Sequence, residues 1–158
     1  MIYATLQDMI TRFSITELAQ LTDIAVPPAE PDAEKINTAI SDATALVNSY
    51  LSQRYHIATI GCADPDGGDE KIAPPVITRM VCDLARYNLH TNITEEHDAF
   101  IRQKAVIKLL QAIAAGEVSI GCPLGDSPAG ELSPDNSGPT DWAFSQRVIT
   151  DRDLAGYP

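Results

Sequence analysis

Residues 32–55, DAEKINTAISDATALVNSYLSQRY, decide the fold of this chain. Asp32 is a good N-cap for a helix, and the apolar residues that follow it recur at spacings of three and four. This spacing predicts one long amphipathic helix. Its apolar stripe comprises Ile36, Ala39, Ile40, Ala43, Leu46, Val47, Tyr50 and Leu51.

Two further long helices and two short ones follow from the same signals. Pro75 suits the first turn of a helix running to about Leu89, and Thr94 can cap another that stops at Gly116. Thr5 and Ser14 each precede an acidic residue by three positions, which predicts two short N-terminal helices. The predicted stripes are Ile77, Met80, Val81, Leu84 and Asn88, then Phe100, Ile101, Ala105, Val106, Leu109, Leu110 and Ile113.

The C-terminal part differs in composition from the rest. Of the 21 residues from Ser119 to Pro139, 12 are Pro, Gly or Ser. Such a segment buries too little apolar surface to offset the conformational entropy that ordering would cost. We therefore predict an all-α fold: a small helical bundle of two short and about three long helices over residues 1–116. Residues 117–158 form an extended, partly flexible C-terminal arm. Its apolar residues should pack on this domain or on a partner: Trp142, Phe144, Val148 and Ile149.

Composition narrows the classes of function. The 158 residues suit one domain with a real core, and no run of apolar residues is long enough to span a membrane. The net charge of −11 repels phosphate and disfavours sequence-specific binding of nucleic acid. Three cysteines without a CxxC pair argue against a disulfide framework and favour a reduced, cytoplasmic setting.

No pattern of reactive residues supports catalysis, a cofactor or a metal site. The acidic stretch ADPDGGDE, with Asp64, Asp66, Asp69 and Glu70, has its glycines in the wrong places for a calcium loop. The histidines at 56, 90 and 97 lie on different elements and lack metal-binding spacing. Cys82 is best explained as a small buried apolar group. We predict that the protein is not an enzyme.

Two Arg-Tyr pairs stand near the ends of two long helices. They are Arg54 with Tyr55, and Arg86 with Tyr87. A planar guanidinium at such a position could pair with carboxylates of a second subunit, and it could equally form a local ion pair of little energetic value. We take these four residues as candidate polar contacts at a subunit interface.

The order and spacing of several segments make the chain resemble a Mu-like bacteriophage protein family encoded among head and tail morphogenesis genes. The matching text includes YATLQDMITRF, ELAQLTD, residues 32–55, PPVITRMVCDLARYNLH, AIAAGEVSIG and RVITDRDLAGY. The acidic loop at 56–73 and the stretch 122–139 depart from the pattern. The resemblance carries no catalytic residues.

The resemblance implies a head–tail connector, or neck adaptor, that forms a ring, often twelvefold, and contacts the portal and tail-completion proteins. Such a protein would assemble in the host cytoplasm and end in the virion neck. Two alternatives remain open. One is a packaging accessory that grips genome DNA, and the other is a metal-dependent enzyme using the aspartates of 64–70 with a histidine. The basic residues available to the first are Arg79, Arg86, Arg102, Lys104 and Lys108.

Overall fold

A computed structural model describes residues 3–23, 30–57, 60–62 and 71–122. Five helices make up this part of the chain: α1 (Leu6–Phe13), α2 (Ile15–Thr22), α3 (Ala33–Leu51), α4 (Pro75–Leu89) and α5 (Asp98–Ala114). The only β pairing among the described residues is a single bridge between Cys62 and Ile72. The prediction of an all-α fold with two short and three long helices is confirmed.

The two short helices begin where their capping residues predict. The Thr5 side chain accepts a hydrogen bond from the Asp8 amide, and the Asp8 carboxylate accepts one from the Thr5 amide, which completes a capping box. Ser14 ends α1 and caps α2, with its hydroxyl accepting from the amide of Glu17. Its φ of 68° lies in the left-handed region, and this lets the chain turn sharply between two abutting helices.

The core lies between α3 and α4. Every residue of the predicted α3 stripe is buried except Leu46, which is exposed, and Tyr50, which is half-buried. On α4 the stripe from Ile77 to Leu84 is buried, whereas Asn88 is exposed and its assignment to the stripe was wrong. Ahead of α1, the buried Tyr3 donates its hydroxyl to Asn48 Oδ1 of α3 at 2.9 Å, which holds the N-terminal segment on the same core.

Helix α5 begins later than predicted. Its N-cap is His97, whose Nδ1 accepts a hydrogen bond from the Ala99 amide at 3.1 Å. Thr94 instead closes a turn, with its carbonyl accepting from the His97 amide. Asp98 provides the acidic group of the first turn, where a negative charge complements the helix dipole.

Two cysteines are joined, contrary to the prediction. Cys62 and Cys122 form a disulfide with their Cα atoms 5.5 Å apart, and only Cys82 is free. An odd number of cysteines excludes a fully paired set but not one bridge, which is why counting failed here. The bond fixes the segment after α5 to the segment after α3.

The first residues of the predicted arm pack on the helical domain. Ile120 is buried, and its amide donates a hydrogen bond to the hydroxyl of the buried Tyr55 at 3.3 Å. Gly116 makes this return possible because its φ of +82° ends α5 in a left-handed turn close to Arg54. Any segment that reaches outward must therefore begin beyond Cys122.

Candidate functional site

Helix α5 has apolar residues on two faces. Val106, Leu110 and Ile113 face the core and are buried. Ile101 and Ala105, which the sequence placed in the same stripe, are exposed. Ile101 keeps 55% of its surface accessible, the largest value for a large apolar residue among those described. The stripe predicted for α5 therefore divides into a core face and a second, outward face.

This outward face joins α4 to form a groove. One cleft of about 220 Å³ lies between the two helices, and a second of about 420 Å³ runs along α5 beside it. Ala105 lines both clefts, so the two clefts adjoin at this residue. We call this surface the α4–α5 groove and define it by Val76, Arg79, Ile101, Lys104, Ala105 and Lys108.

The rim of the groove is basic although the whole chain is acidic. Four basic and two acidic side chains line the two clefts. One of the acids, Asp83, is buried, and its carboxylate lies 3.8 Å from Arg79 and 3.7 Å from Arg102. Burial raises the pKa of Asp83 despite the two guanidinium groups. The groove therefore offers an apolar floor with positive charge along its edges.

An ion-pair network holds the end of α4 to its neighbours. Arg86 Nε donates to Glu17 Oε1 at 2.6 Å, and its Nη1 donates to Asp98 Oδ2 at 2.9 Å. The guanidinium also lies 5.0 Å from the centre of the Phe13 ring. Arg102 approaches the same Asp98 oxygen, and hydrogen bonds from the two arginines lower the pKa of that carboxyl. This network joins α1, α2, α4 and α5.

The other members of the Arg-Tyr pairs are also engaged within the chain. Tyr55 is 1% exposed, and Arg54 lies 5.9 Å from its ring centre. Tyr87 is half-buried and packs obliquely on Phe100 at 6.2 Å. Contact of these residues with another subunit stays a prediction. Within the chain, Tyr55 is buried and accepts a hydrogen bond from Ile120, and Arg86 pairs with Glu17 and Asp98.

The structure brings together two histidines that the sequence treated as separate. His90 ends α4 and His97 begins α5, and their rings meet edge to face at 4.8 Å. Burial lowers the pKa of His90, and the neighbouring His97 lowers it further. Within the described residues, no three His, Cys, Asp or Glu side chains come together as a metal site would need. Cys82 is buried as predicted, and burial raises the pKa of its thiol to about 11.

Two sets of residues singled out in the sequence lie outside the described residues. One is the acidic loop weighed as a metal site, Asp64, Asp66, Asp69 and Glu70, and the other is the set of predicted arm contacts, Trp142, Phe144, Val148 and Ile149. Among the helices that are described, none is long and apolar enough to cross a membrane. Of the five basic residues predicted for DNA binding, Arg86 lies in the ion-pair network, and the other four line the α4–α5 groove.

The sequence reasoning missed the groove itself. A signal was present, since Ile101, Ala105, Val106, Leu110 and Ile113 span a wider arc than one core-facing stripe needs. The description as a single stripe concealed this width.

The described residues form a small all-helical fold with an apolar groove that they leave open. The family model described as Bacteriophage Mu, Gp36 matches residues 3–135, and the chain belongs to this family. It is similar to the Mu-like prophage FluMu protein gp36 of Haemophilus influenzae, with 29% identity over 121 residues, 76% of each chain. It is also similar to gene product J of Escherichia phage Mu, with 26% identity over 120 residues, 75% of this chain and 76% of that protein. The predicted resemblance to a Mu-like phage family is confirmed, and neither relative has an enzymatic name.

Proposed function

We propose that this phage protein is structural: a head–tail connector, or neck adaptor, that assembles as a ring and joins the portal to the tail. The observation that carries the proposal is the open α4–α5 groove on a helical domain whose described core is otherwise closed. A ring of identical subunits needs two different surfaces that fit each other, and the groove supplies one of them. Family membership supports the phage context.

Charge supports a ring through which DNA passes. The chain carries a net charge of −11, which on average repels the phosphate backbone, so a ring of such chains would let DNA slide without adhering. We propose assembly in the host cytoplasm and final placement in the virion neck, with the portal and tail-completion proteins as partners. Twelvefold symmetry is the form we expect.

The experiment is to measure the solution mass of the full chain by light scattering, alone and with the portal protein of the same genome. We expect either a ring or a stoichiometric complex with the portal. The informative truncation ends at Cys122, because an earlier cut would remove the buried Ile120 and the disulfide together. A full chain that stays monomeric and does not bind the portal would contradict the proposal.

A DNA-packaging accessory is the second candidate, and the basic rim is the observation that favours it. Arg79, Arg102, Lys104 and Lys108 lie around one groove. Asp83 lies beside Arg79 and Arg102, and Asp98 pairs with Arg102, which reduces the positive charge left for phosphate. Strong binding of duplex DNA that weakens steeply with added salt would favour this candidate over the adaptor.

A further inference from the structure

The α4–α5 groove has an apolar floor that the described residues leave uncovered. Ile101 is 55% exposed and Val76 is 38% exposed, and Ala105 between them is exposed as well. Covering such groups removes apolar area from water and is favourable. The groove runs along both clefts, so it suits an extended or helical segment better than a single small molecule.

The chain itself contains a segment with complementary chemistry. Residues 141–154, DWAFSQRVITDRDL, carry the large apolar residues Trp142, Phe144, Val148 and Ile149 between acidic ones. The whole stretch 123–158 has six acidic and two basic residues, whereas the groove is lined by four basic and two acidic ones. Residues 141–154 themselves carry three acidic and two basic residues, so the match with the groove rests on their large apolar groups and on the acidic character of the stretch 123–158 as a whole.

We propose that the α4–α5 groove of one copy receives residues 141–154 of a neighbouring copy. This inference rests on the proposed ring assembly, since it names the two surfaces that would join subunits. Donor segment and acceptor groove are different parts of one chain, so the contact is head-to-tail and can close into a ring. Eighteen residues separate Cys122 from Asp141, and extended they reach at most about 60 Å, which allows the segment to cross to a neighbour.

The test uses Trp142, the only tryptophan of the chain, as an internal probe. The emission of the full-length protein is recorded across a dilution series beside its mass by light scattering. We expect Trp142 to emit at shorter wavelength in the concentrated, associated protein and at longer wavelength after dilution, because docking removes the indole from water. The two measurements should give the same midpoint.

A matched pair of variants locates the acceptor surface. Ile101→Glu places a charge in the groove, and Ile15→Glu places the same charge on α2 at a residue of equal exposure, 54% against 55%. We expect Ile101→Glu to raise the apparent dissociation constant by about tenfold or more, as loss of a central apolar contact does, while Ile15→Glu leaves it unchanged. Circular dichroism should show the same helix content in both variants.

A second pair separates charge from apolar contact. The double variant Lys104→Glu with Lys108→Glu should weaken association and remove most of its dependence on salt, because charges at a rim act mainly through long-range attraction. Trp142→Ala in the donor segment should weaken association as Ile101→Glu does. Combining Ile101→Glu with Trp142→Ala should add little further loss, since the two residues would lie in one contact.

Several outcomes would overturn the assignment of the groove. They are emission that does not change with concentration, equal effects of the Ile101 and Ile15 variants, a Trp142 shift that appears only with the portal, or displacement of the segment by duplex DNA. The failure of this inference is distinguishable from that of the proposed function. If Ile101→Glu has no effect but the ring or portal complex still forms, only the groove assignment fails. If copies associate through the groove but form neither a closed ring nor a complex with the portal, the adaptor role fails and the groove assignment stands.

Discussion

Helices α3 and α5 have similar lengths and apolar patterns, yet they meet their surroundings differently. The apolar stripe of α3 is buried almost throughout, and α4 is the helix that contacts α3 most extensively. The apolar residues of α5 divide between the core and the outside, with Leu110 fully buried and Ile101 more than half exposed. α3 is a central helix of the bundle, whereas α5 lies at its edge.

This difference shows what apolar periodicity can and cannot reveal. The pattern identifies residues that avoid water, and in an edge helix some of them avoid it only after a partner has bound. The same arithmetic therefore describes a core helix and an interface helix. Helix α5 is held to the bundle by the disulfide that follows it, by its core residues and by ion pairs. Weakening each of these separately distinguishes the core face of α5 from its open face.

The largest effect we expect comes from the disulfide that joins the chain after α3 to the chain after α5. The bond closes a loop with a sequence separation of 60 residues. By the chain-entropy model, such a loop stabilises the folded state by about 4 kcal/mol. Reduction, or the variant Cys62→Ser with Cys122→Ser, should lower the free energy of unfolding by about that amount in urea titrations.

The matched control for this prediction is Cys82→Ala, which removes the remaining cysteine but leaves the bridge intact. The Cys82 thiol is buried and takes no part in the disulfide. Because the bridge is still present in this variant, added reductant should destabilise it as much as it destabilises the parent protein. If reductant leaves the stability of the parent unchanged, the segment after α5 is held by Ile120 and Tyr55 alone.

The second prediction sets the two faces of α5 against each other. Leu110→Ala should lower the free energy of unfolding by about 3 kcal/mol, because it leaves a cavity in the core. Ile101→Ala should change it by less than about 0.5 kcal/mol, as at other exposed positions. Chemical denaturation of dilute protein measures both. Equal losses would mean that Ile101 belongs to the core and that α5 has no free face.

Much of the fold was predictable from sequence because its signals are local. Asp32 and Thr5 cap helices through amides two or three residues away, and Pro75 begins a helix through its own ring. His97 was missed as a cap because histidine is uncommon in that role. Its Nδ1 accepts the hydrogen bond of the Ala99 amide because the turn from Thr94 to His97 places it there. The disulfide was missed because pairing of Cys62 with Cys122 depends on the tertiary fold.

The candidate site was less predictable for a related reason. The sequence indicated that Arg86 could pair with carboxylates of a second subunit or locally, but Glu17 and Asp98 lie on other helices of the same chain and their approach is a product of packing. The groove likewise depends on the spacing between α4 and α5 in the packed bundle. Sequence indicated the chemistry of these residues, and only the fold indicated which of them remain open.

The third prediction concerns the ion pairs that hold α5 to α2 and α4. Arg86→Met should lower the free energy of unfolding by about 1–2 kcal/mol, because Glu17 and Asp98 both lose their hydrogen bond to a guanidinium that is only 13% exposed. The cost stays below that of a buried pair since Glu17 and Asp98 remain partly in water. Arg86→Lys keeps the charge but cannot reach both carboxylates, so it should recover only part of the loss. Full recovery by lysine would mean that charge alone matters there.

The smallest effect we expect is a pH dependence at the start of α5. Hydrogen bonds from Arg86 and Arg102 lower the pKa of Asp98, so its stabilising effect is present above its unfolded pKa of about 4 and is lost as the pH falls through its lower folded value. Because Asp98 is exposed, the change should stay below about 1 kcal/mol. Asp98→Asn should therefore lose less stability than the parent when acidified below pH about 4.

Asp83 provides a control of opposite sign on the groove side of the same helix pair. Burial raises the pKa of Asp83, so its contribution is complete below pH about 4 and declines as the pH rises through the folded value. Asp83→Asn should remove that decline at higher pH and leave the acid limb, which Asp98 affects, as in the parent. Urea unfolding across the pH range measures both limbs. If both variants altered the same limb of the pH profile, Asp98 and Asp83 would not act independently. The ion pairs that attach α5 to the bundle and the buried carboxylate beneath its groove would then be one electrostatic feature, and the two faces of α5 could not be distinguished by pH.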